Sequence, residues 1–171
     1  MFSLFKKKKN QGIHSSNGED IYNSMRNMAF NIKPEDIDVT LDNDNQVYGS
    51  IIDMNTGTGI ATMVCFIDGT ASLYFSNGGG ILGTGKDESV KKAVASFLVS
   101  IHQVLPIMKA VDEYESLPLP NHHIFYLFTR TGKYTIDIDV KDINTKEKDF
   151  LFSLSQMVLS EIRKVSEKGN E

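Results

Sequence analysis

A glycine-rich segment between a predicted strand and a predicted helix contains the residues best suited to chemistry. It reads Asn77-Gly78-Gly79-Gly80-Ile81-Leu82-Gly83-Thr84-Gly85-Lys86. Residues 78–83 match G-x-G-x-x-G and residues 80–86 match G-x-x-x-x-G-K, the two patterns of phosphate-binding loops. Glycines let a phosphate approach the backbone, and the free amides of a helix N-terminus attract it. The segment therefore predicts a ligand-binding or partner-binding loop made of Asn77, Gly78, Gly79, Gly80, Gly83, Gly85 and Lys86.

Three features weigh against a nucleotide at this loop. The strand before it belongs to a predicted antiparallel hairpin, whereas dinucleotide-binding folds need a parallel βαβ unit. Asp87 follows Lys86 at the position where a phosphate-binding loop has a Ser or Thr for magnesium. Asp87 and Glu88 also place negative charge where phosphate would bind. A glycine-rich crossover is the favoured interpretation, then a protein-contact loop, with nucleotide or small-ligand binding as the alternative.

The sequence contains no recognisable catalytic or metal-binding set. The histidines are His14, His102, His122 and His123. No spacing of His, Cys and carboxylates suggests a metal site, and no nucleophile motif is present. Residues 42–46 resemble the start of an EF-hand loop, but Val47 and Asp53 stand where that loop needs Gly and Glu. We therefore predict no catalytic residue, no metal and no cofactor.

The elements around the loop predict an α+β domain. Strands at 60–67 and 70–76, joined by a two-residue type I′ turn at Asp68-Gly69, lead into the loop. A helix from Asp87 to about Leu105 follows, capped by Asp87 or Thr84. The other expected elements are a helix at 17–31, strands at 37–41, 47–54, 123–129 and 133–140, an irregular stretch at 109–121, and a helix at 146–167.

This element order is α-β-β-β-α-β-β-α. It predicts an antiparallel sheet of five to six strands with two long packing helices and an N-terminal helix. The first helix should bury Ile21, Met25, Met28, Ala29 and Ile32. The second should bury Val90, Val94, Phe97, Leu98, Ile101, Val104, Leu105 and Met108. The last should bury Phe150, Leu151, Leu154, Met157, Val158, Ile162 and Val165.

The composition is that of one soluble domain. The chain has 171 residues, of which 40% are hydrophobic and 23% charged. Its net charge is −4, but the tail holds four adjacent lysines; without them 14 basic residues face 22 acidic ones, a balance of −8. Such an acidic body argues against nucleic acid as a ligand. The one cysteine, Cys65, excludes a disulfide within the chain and favours a reducing, cytoplasmic location.

Residues 1–15 are expected to be a disordered, lysine-rich tail, and residues 16–168 a single domain. The tail is apolar at its start and has no signal-peptide pattern. A weak contact with an anionic membrane surface is the alternative for this tail. That contact would use Phe2, Phe5, Lys6, Lys7, Lys8 and Lys9.

Two resemblances bear on function. Residues 68–80, DGTASLYFSNGGG, resemble a segment of uncharacterised bacterial proteins of this size. The order of elements is similar to that of the small acidic chaperones of type III secretion, and this likeness is one of topology only. Those chaperones are usually dimers that bind extended segments of a partner. The resemblance implies a chaperone-like or immunity-like protein-binding module, with a homodimer as one form.

Overall fold

The computed structural model describes residues 18–168. Its helices are α1 (Gly18–Phe30), α2 (Glu88–Ser100) and α3 (Lys146–Lys168), with 3-10 turns at Pro34–Ile37, Thr84–Lys86 and Ile101–Ile107. Its strands are β1 (Gly49–Asn55), β2 (Ile60–Phe66), β3 (Ala71–Phe75), β4 (Gly80–Ile81), β5 (Lys109–Val111), β6 (His122–Thr129) and β7 (Gly132–Asp139). The predicted lysine tail and the predicted first residue of the N-terminal helix lie outside this range.

The strands in this range form one antiparallel sheet of seven, in the order β4-β3-β2-β1-β6-β7-β5. The α+β class is confirmed, and the strand number is slightly higher than the expected five to six. The additional strands, β4 and β5, have two and three residues. Such runs are too short to show an alternating pattern. β5 also lies in the stretch that was expected to be irregular.

Both faces of the sheet are covered. On one face α2 and α3 pack on residues such as Ile52, Met63 and Phe125. On the other face α1 and the chain from residue 31 to 48 pack on Ile51 and Tyr126. Because both faces are buried, β2, apart from Thr62, and most of β6 are apolar instead of alternating.

The β2–β3 turn differs from the expected two-residue type I′ turn. The Gly69 N–H donates to the Phe66 carbonyl at 2.9 Å, and the Phe66 N–H donates to the Thr70 carbonyl at 2.9 Å. Gly69 has a φ of +86°, whereas the φ of Asp68 is not positive. The loop is therefore three residues long, a type I turn ending in a glycine bulge. The Asp68 carboxylate favours this form because it accepts the Thr70 N–H at 2.8 Å.

The strand expected at 37–41 is wrong. Pro34 begins a 3-10 turn that ends at Ile37, and the Asp36 carboxylate accepts the Lys33 N–H at 2.9 Å. Asp38 then turns the chain with a φ of +52°. These local hydrogen bonds compete with strand pairing. Ile37 and Leu41 are buried against the sheet face without joining it.

The helix expected to run to Leu105 stops being α-helical at Ser100 and continues as a 3-10 turn. Pro106 explains the change, because proline lacks an N–H and its ring clashes with the carbonyl four residues earlier. At the other end Asp87 is the cap, and its carboxylate accepts the Ser89 N–H at 2.8 Å. Thr84 instead donates to the Ala71 carbonyl at 3.1 Å.

Two helices expose some of the apolar residues that were expected in the core. α1 buries Tyr22, Arg26, Ala29 and Phe30. Ile21, which was expected in the core, is 48% exposed. In α3, Leu151, Val158 and Ile162 are buried as expected, but Phe150 and Met157 are 36% and 59% exposed. An apolar side chain on a helix is thus not always turned towards this core.

Candidate functional site

The predicted loop begins as the turn between β3 and β4. Asn77, Gly78 and Gly79 form that turn, and the two glycines have φ values of +101° and +78°. The Gly78 N–H donates to the Phe75 carbonyl at 3.0 Å, and the Phe75 N–H donates to the Gly79 carbonyl at 3.2 Å. These glycines supply the backbone conformation of a tight hairpin, which other residues adopt only with strain.

Gly80 and Gly85 allow the segment to lie directly on the sheet. Gly80 pairs with Tyr74, and a Cβ built on it would lie 2.5 Å from the Leu73 carbonyl oxygen. A Cβ on Gly85 would lie 2.1 Å from the Gly69 carbonyl oxygen in the β2–β3 turn. Both glycines are therefore required by contact with backbone of the same chain.

The rest of the predicted loop is a short 3-10 turn before α2. Gly83, with a φ of +73°, precedes that turn, and Lys86 ends it. Thr84 is buried, whereas Leu82 is 56% exposed beside β4. The seven predicted residues thus form one continuous stretch, with Leu82 as its exposed apolar side chain.

The two edges of the sheet differ in charge. β4 and the residues from 76 to 85 contain no charged side chain. At the opposite edge, β5 begins with Lys109, which pairs with Glu115 at 2.9 Å, and is followed by Asp112 and Glu113. Charged side chains discourage another strand from pairing with an edge. The β4 segment itself carries no charged side chain that could act in this way.

A buried ion pair joins α1 to the central strand, and sequence reasoning missed it. Asp53 lies on β1, and its carboxylate accepts hydrogen bonds from the Arg26 guanidinium, at 2.9 Å from Nε to Oδ2. The Thr62 hydroxyl donates to the same carboxylate at 2.6 Å, and Tyr22 bonds to Thr62 at 2.6 Å. The Tyr114 ring lies 3.8 Å from the Arg26 guanidinium carbon.

The cluster fits a structural role. Arg26 is 7% exposed and Asp53 fully buried. Burial acts to lower the pKa of Arg26, but the hydrogen bond and charge of Asp53 outweigh it and raise that pKa.. Burial, with the charge of Asp53, raises the pKa of Tyr22 to about 12 and that of Tyr114 further. These tyrosines and the arginine do not exchange protons near neutral pH, so we assign them no acid–base role.

The signals for this cluster were present in the sequence. Asp53 lies between Ile52 and Met54 in a strand that is largely apolar, and an acid at such a position needs a buried partner. Arg26 lies one helical turn after Tyr22, on the face that is buried. The apolar-stripe rule excluded Arg26 from the core because it counts only apolar side chains.

The histidines do not converge. His102 is exposed, and His14 lies outside the described range. His122 Nδ1 is 2.9 Å from Asp137 Oδ1 at a partly exposed position. His123 points to the other face, half-buried beside Phe152, and burial lowers its pKa to about 4.

Cys65 is fully buried, and burial raises its thiol pKa to about 12. Such a thiol has little of the thiolate form that reacts. Across residues 18–168, no group of three or more His, Cys, Asp or Glu side chains is arranged to hold a metal ion.

Comparisons with models of protein families, with curated proteins and with solved structures find no match to this chain. The resemblances noted above therefore stay predictions. Glu88–Ile107 is the single segment of the described chain that is helical, long and apolar enough to cross a membrane by length and composition; 33% of its apolar window is buried.

We expect Gly85→Ala to destabilise the fold by about 1–3 kcal/mol, because the new methyl group overlaps a backbone carbonyl. Gly18→Ala is the matched control, since its Cβ would meet its nearest atom at 3.6 Å, an ordinary contact. We expect that control to change stability by less than about 0.5 kcal/mol. Urea unfolding measures both. Equal stability of the two variants would contradict a packing role for Gly85.

We expect Arg26→Met to lower the free energy of unfolding by about 3–5 kcal/mol, because it leaves the Asp53 carboxylate buried without its cation. The double variant Arg26→Met, Asp53→Asn removes both charges and should recover most of that loss. Urea unfolding of the two variants and the wild type tests this. A double variant no more stable than Arg26→Met would show that the lost stability comes from packing.

We expect His123 to make the protein acid-sensitive. Its folded pKa of about 4 lies below the ordinary 6.5, so the unfolded chain binds the proton more readily. Stability present above pH 6.5 is therefore lost as pH falls towards 4. Since His123 is only partly buried, His123→Phe should remove about 1–2 kcal/mol of this loss. Urea unfolding between those pH values checks it, with His102→Gln as the control; parallel curves for wild type and His123→Phe would contradict it.

Proposed function

We propose that this protein is a protein-binding module that takes up an extended, apolar segment of its partner at the β4 edge. The observation that carries the proposal is the contrast between the two sheet edges. The β5 edge carries Lys109 and its ion pair, whereas the β4 edge is uncharged and exposes 56% of Leu82. An apolar, unprotected edge is what strand addition by a partner requires.

The hydrogen-bonding direction along β4 supports strand addition. The Gly79 carbonyl accepts from β3, and Ile81 stands opposite Leu73. Because backbone groups alternate along an antiparallel strand, Gly80 directs its own N–H and carbonyl away from β3. A partner strand could bond to Gly80 and place an apolar side chain against Leu82.

The alternative is a nucleotide or small ligand held by the same segment. The consecutive positive φ values of Gly78 and Gly79 favour it, because such backbone can wrap an anion. The Asp87 carboxylate, which accepts the Ser89 N–H at the start of α2, weighs against it.

The protein-binding proposal extends to a chaperone-like or immunity-like role in the cytoplasm. This extension rests on the topological resemblance alone.

We expect Leu82→Asp to lose the partner. Removing a buried leucine from an interface costs about 1.5–3 kcal/mol, or roughly tenfold to a hundredfold in affinity, and a new carboxylate adds desolvation. The measurement is affinity capture of tagged protein from lysate of its own host, read by quantitative mass spectrometry. Leu119→Asp, at a side chain that is 65% exposed just before β6, is the matched control.

A protein captured by wild type and Leu119→Asp but not by Leu82→Asp would support the proposal. Capture of the same proteins by all three forms would contradict it. The ligand alternative is tested separately by the melting temperature with ATP and magnesium. A rise that Lys86→Ala abolishes would favour the alternative over protein binding.

A further inference from the structure

The outward side of the helical layer lacks formal charge over a long stretch. Residues 93–108, in α2 and its 3-10 extension, contain no Asp, Glu, Lys or Arg, and neither do residues 150–160 of α3. Charged residues make up 23% of the chain, so 27 residues would ordinarily carry about six. Solvated helix faces are normally charged, so this band needs another explanation.

The two uncharged stretches lie side by side. Ser89 and Asp87, at the start of α2, both influence the pKa of the Glu161 carboxyl, so the later part of α3 lies beside the first turn of α2. Residues 101–107 also contact α3, which ends at Lys168. If the helices ran parallel, α3 would have to extend beyond Lys168 to reach residues 101–107. The two helices therefore run antiparallel. The middle of α3 therefore lies beside the middle of α2, and their uncharged stretches form one band.

This band exposes apolar side chains. Val99 is 65% exposed, Ile107 43%, Phe150 36% and Met157 59%. They are four of the eight large apolar side chains exposed between residues 18 and 168. Depletion of charge together with exposed aromatic and methionine side chains is the composition of an interface centre.

We infer that this band is the interface of a two-fold symmetric homodimer, with α3 packed antiparallel to α3 of a second copy. The outward line of α3 carries opposite charges near both ends and none between. It reads Lys146, Asp149, Ser153, Met157, Ser160, Lys164 and Glu167, all exposed. Such a line is complementary to itself when it is reversed.

The charges select the antiparallel arrangement. With the two-fold axis between Gln156 and Met157, Asp149 lies opposite Lys164 of the second copy. Ser153 then lies opposite Ser160, which allows close approach of the helices. Lys164 also pairs with Glu161 of its own chain at 2.7 Å, so Asp149 of the second copy would be a second acidic partner for its ammonium group. A parallel arrangement would set like charges opposite each other, which is unfavourable. The interface is argued from residues of α2 and α3 alone, so it does not depend on the proposed function.

The test is the mass of the full chain in solution by sedimentation velocity at micromolar concentrations. We expect twice the 19.1 kDa chain mass. Met157→Lys should weaken dimerisation at least about tenfold, because it buries a charge at the axis. Leu119→Lys, at an exposed leucine in the segment before β6, should leave the dimer intact, and circular dichroism confirms that both variants fold.

A charge exchange tests the orientation. Asp149→Lys alone should weaken the dimer, and Asp149→Lys with Lys164→Asp should restore it, because the opposed pair is then reversed but still complementary. A wild-type monomer, or a dimer unaffected by Met157→Lys, would overturn the inference. So would a monomer that binds phosphatidylcholine–phosphatidylglycerol vesicles through this face, with binding lost in Met157→Lys.

Discussion

The sheet is apolar on both faces, and the cover of one face is fixed by the ion pair between Arg26 and Asp53. α1 is the α-helix, within residues 18–168, that covers this face, and Asp53 lies on the central strand. An apolar pair at these positions could stabilise the protein as well or better, because burying two charges costs several kcal/mol, on the order of the attraction gained. We therefore interpret the pair as specifying how α1 docks, more than how tightly.

That specification matters because α1 carries two apolar stripes. One is the buried face, with Tyr22, Ala29 and Phe30 around Arg26. The other is the flank formed by Ile21, Met25 and Met28, which is partly exposed. A rotation of the helix by about 100°, one residue of an α-helix, would exchange them. It would also leave Asp53 buried without a cation. The ion pair therefore disfavours the arrangement in which Ile21, Met25 and Met28 face the core.

The difference between a purely apolar contact and a contact made by a charged side chain explains which helix faces could be predicted. The face of α2 followed from apolar spacing and the Asp87 cap, because its core is purely hydrophobic. The face of α1 did not, because its central contact is a charged residue. The short edge strands lie below the length at which periodicity can be read, and the expected strand at 37–41 gave way to local hydrogen bonds from Asp36.

For the glycine-rich segment, the sequence predicted its place between a strand and a helix but not its function. A glycine needed by a phosphate and one needed by a neighbouring backbone look alike, since both follow from the missing Cβ.

The distribution of charge connects the two proposed surfaces. An acidic chain with 23% charged residues is uncharged at the β4 edge and over the outward band of α2 and α3, and charged at the opposite edge. These surfaces lie on different parts of the molecule, one in the plane of the sheet and one on the helical layer. If a dimer formed through the helices leaves both β4 edges open, it presents two copies of that edge. A partner with two copies of its segment would bind both edges at once. Its affinity would exceed the affinity for one edge, because the first contact raises the effective concentration of the second segment. No new contact is needed.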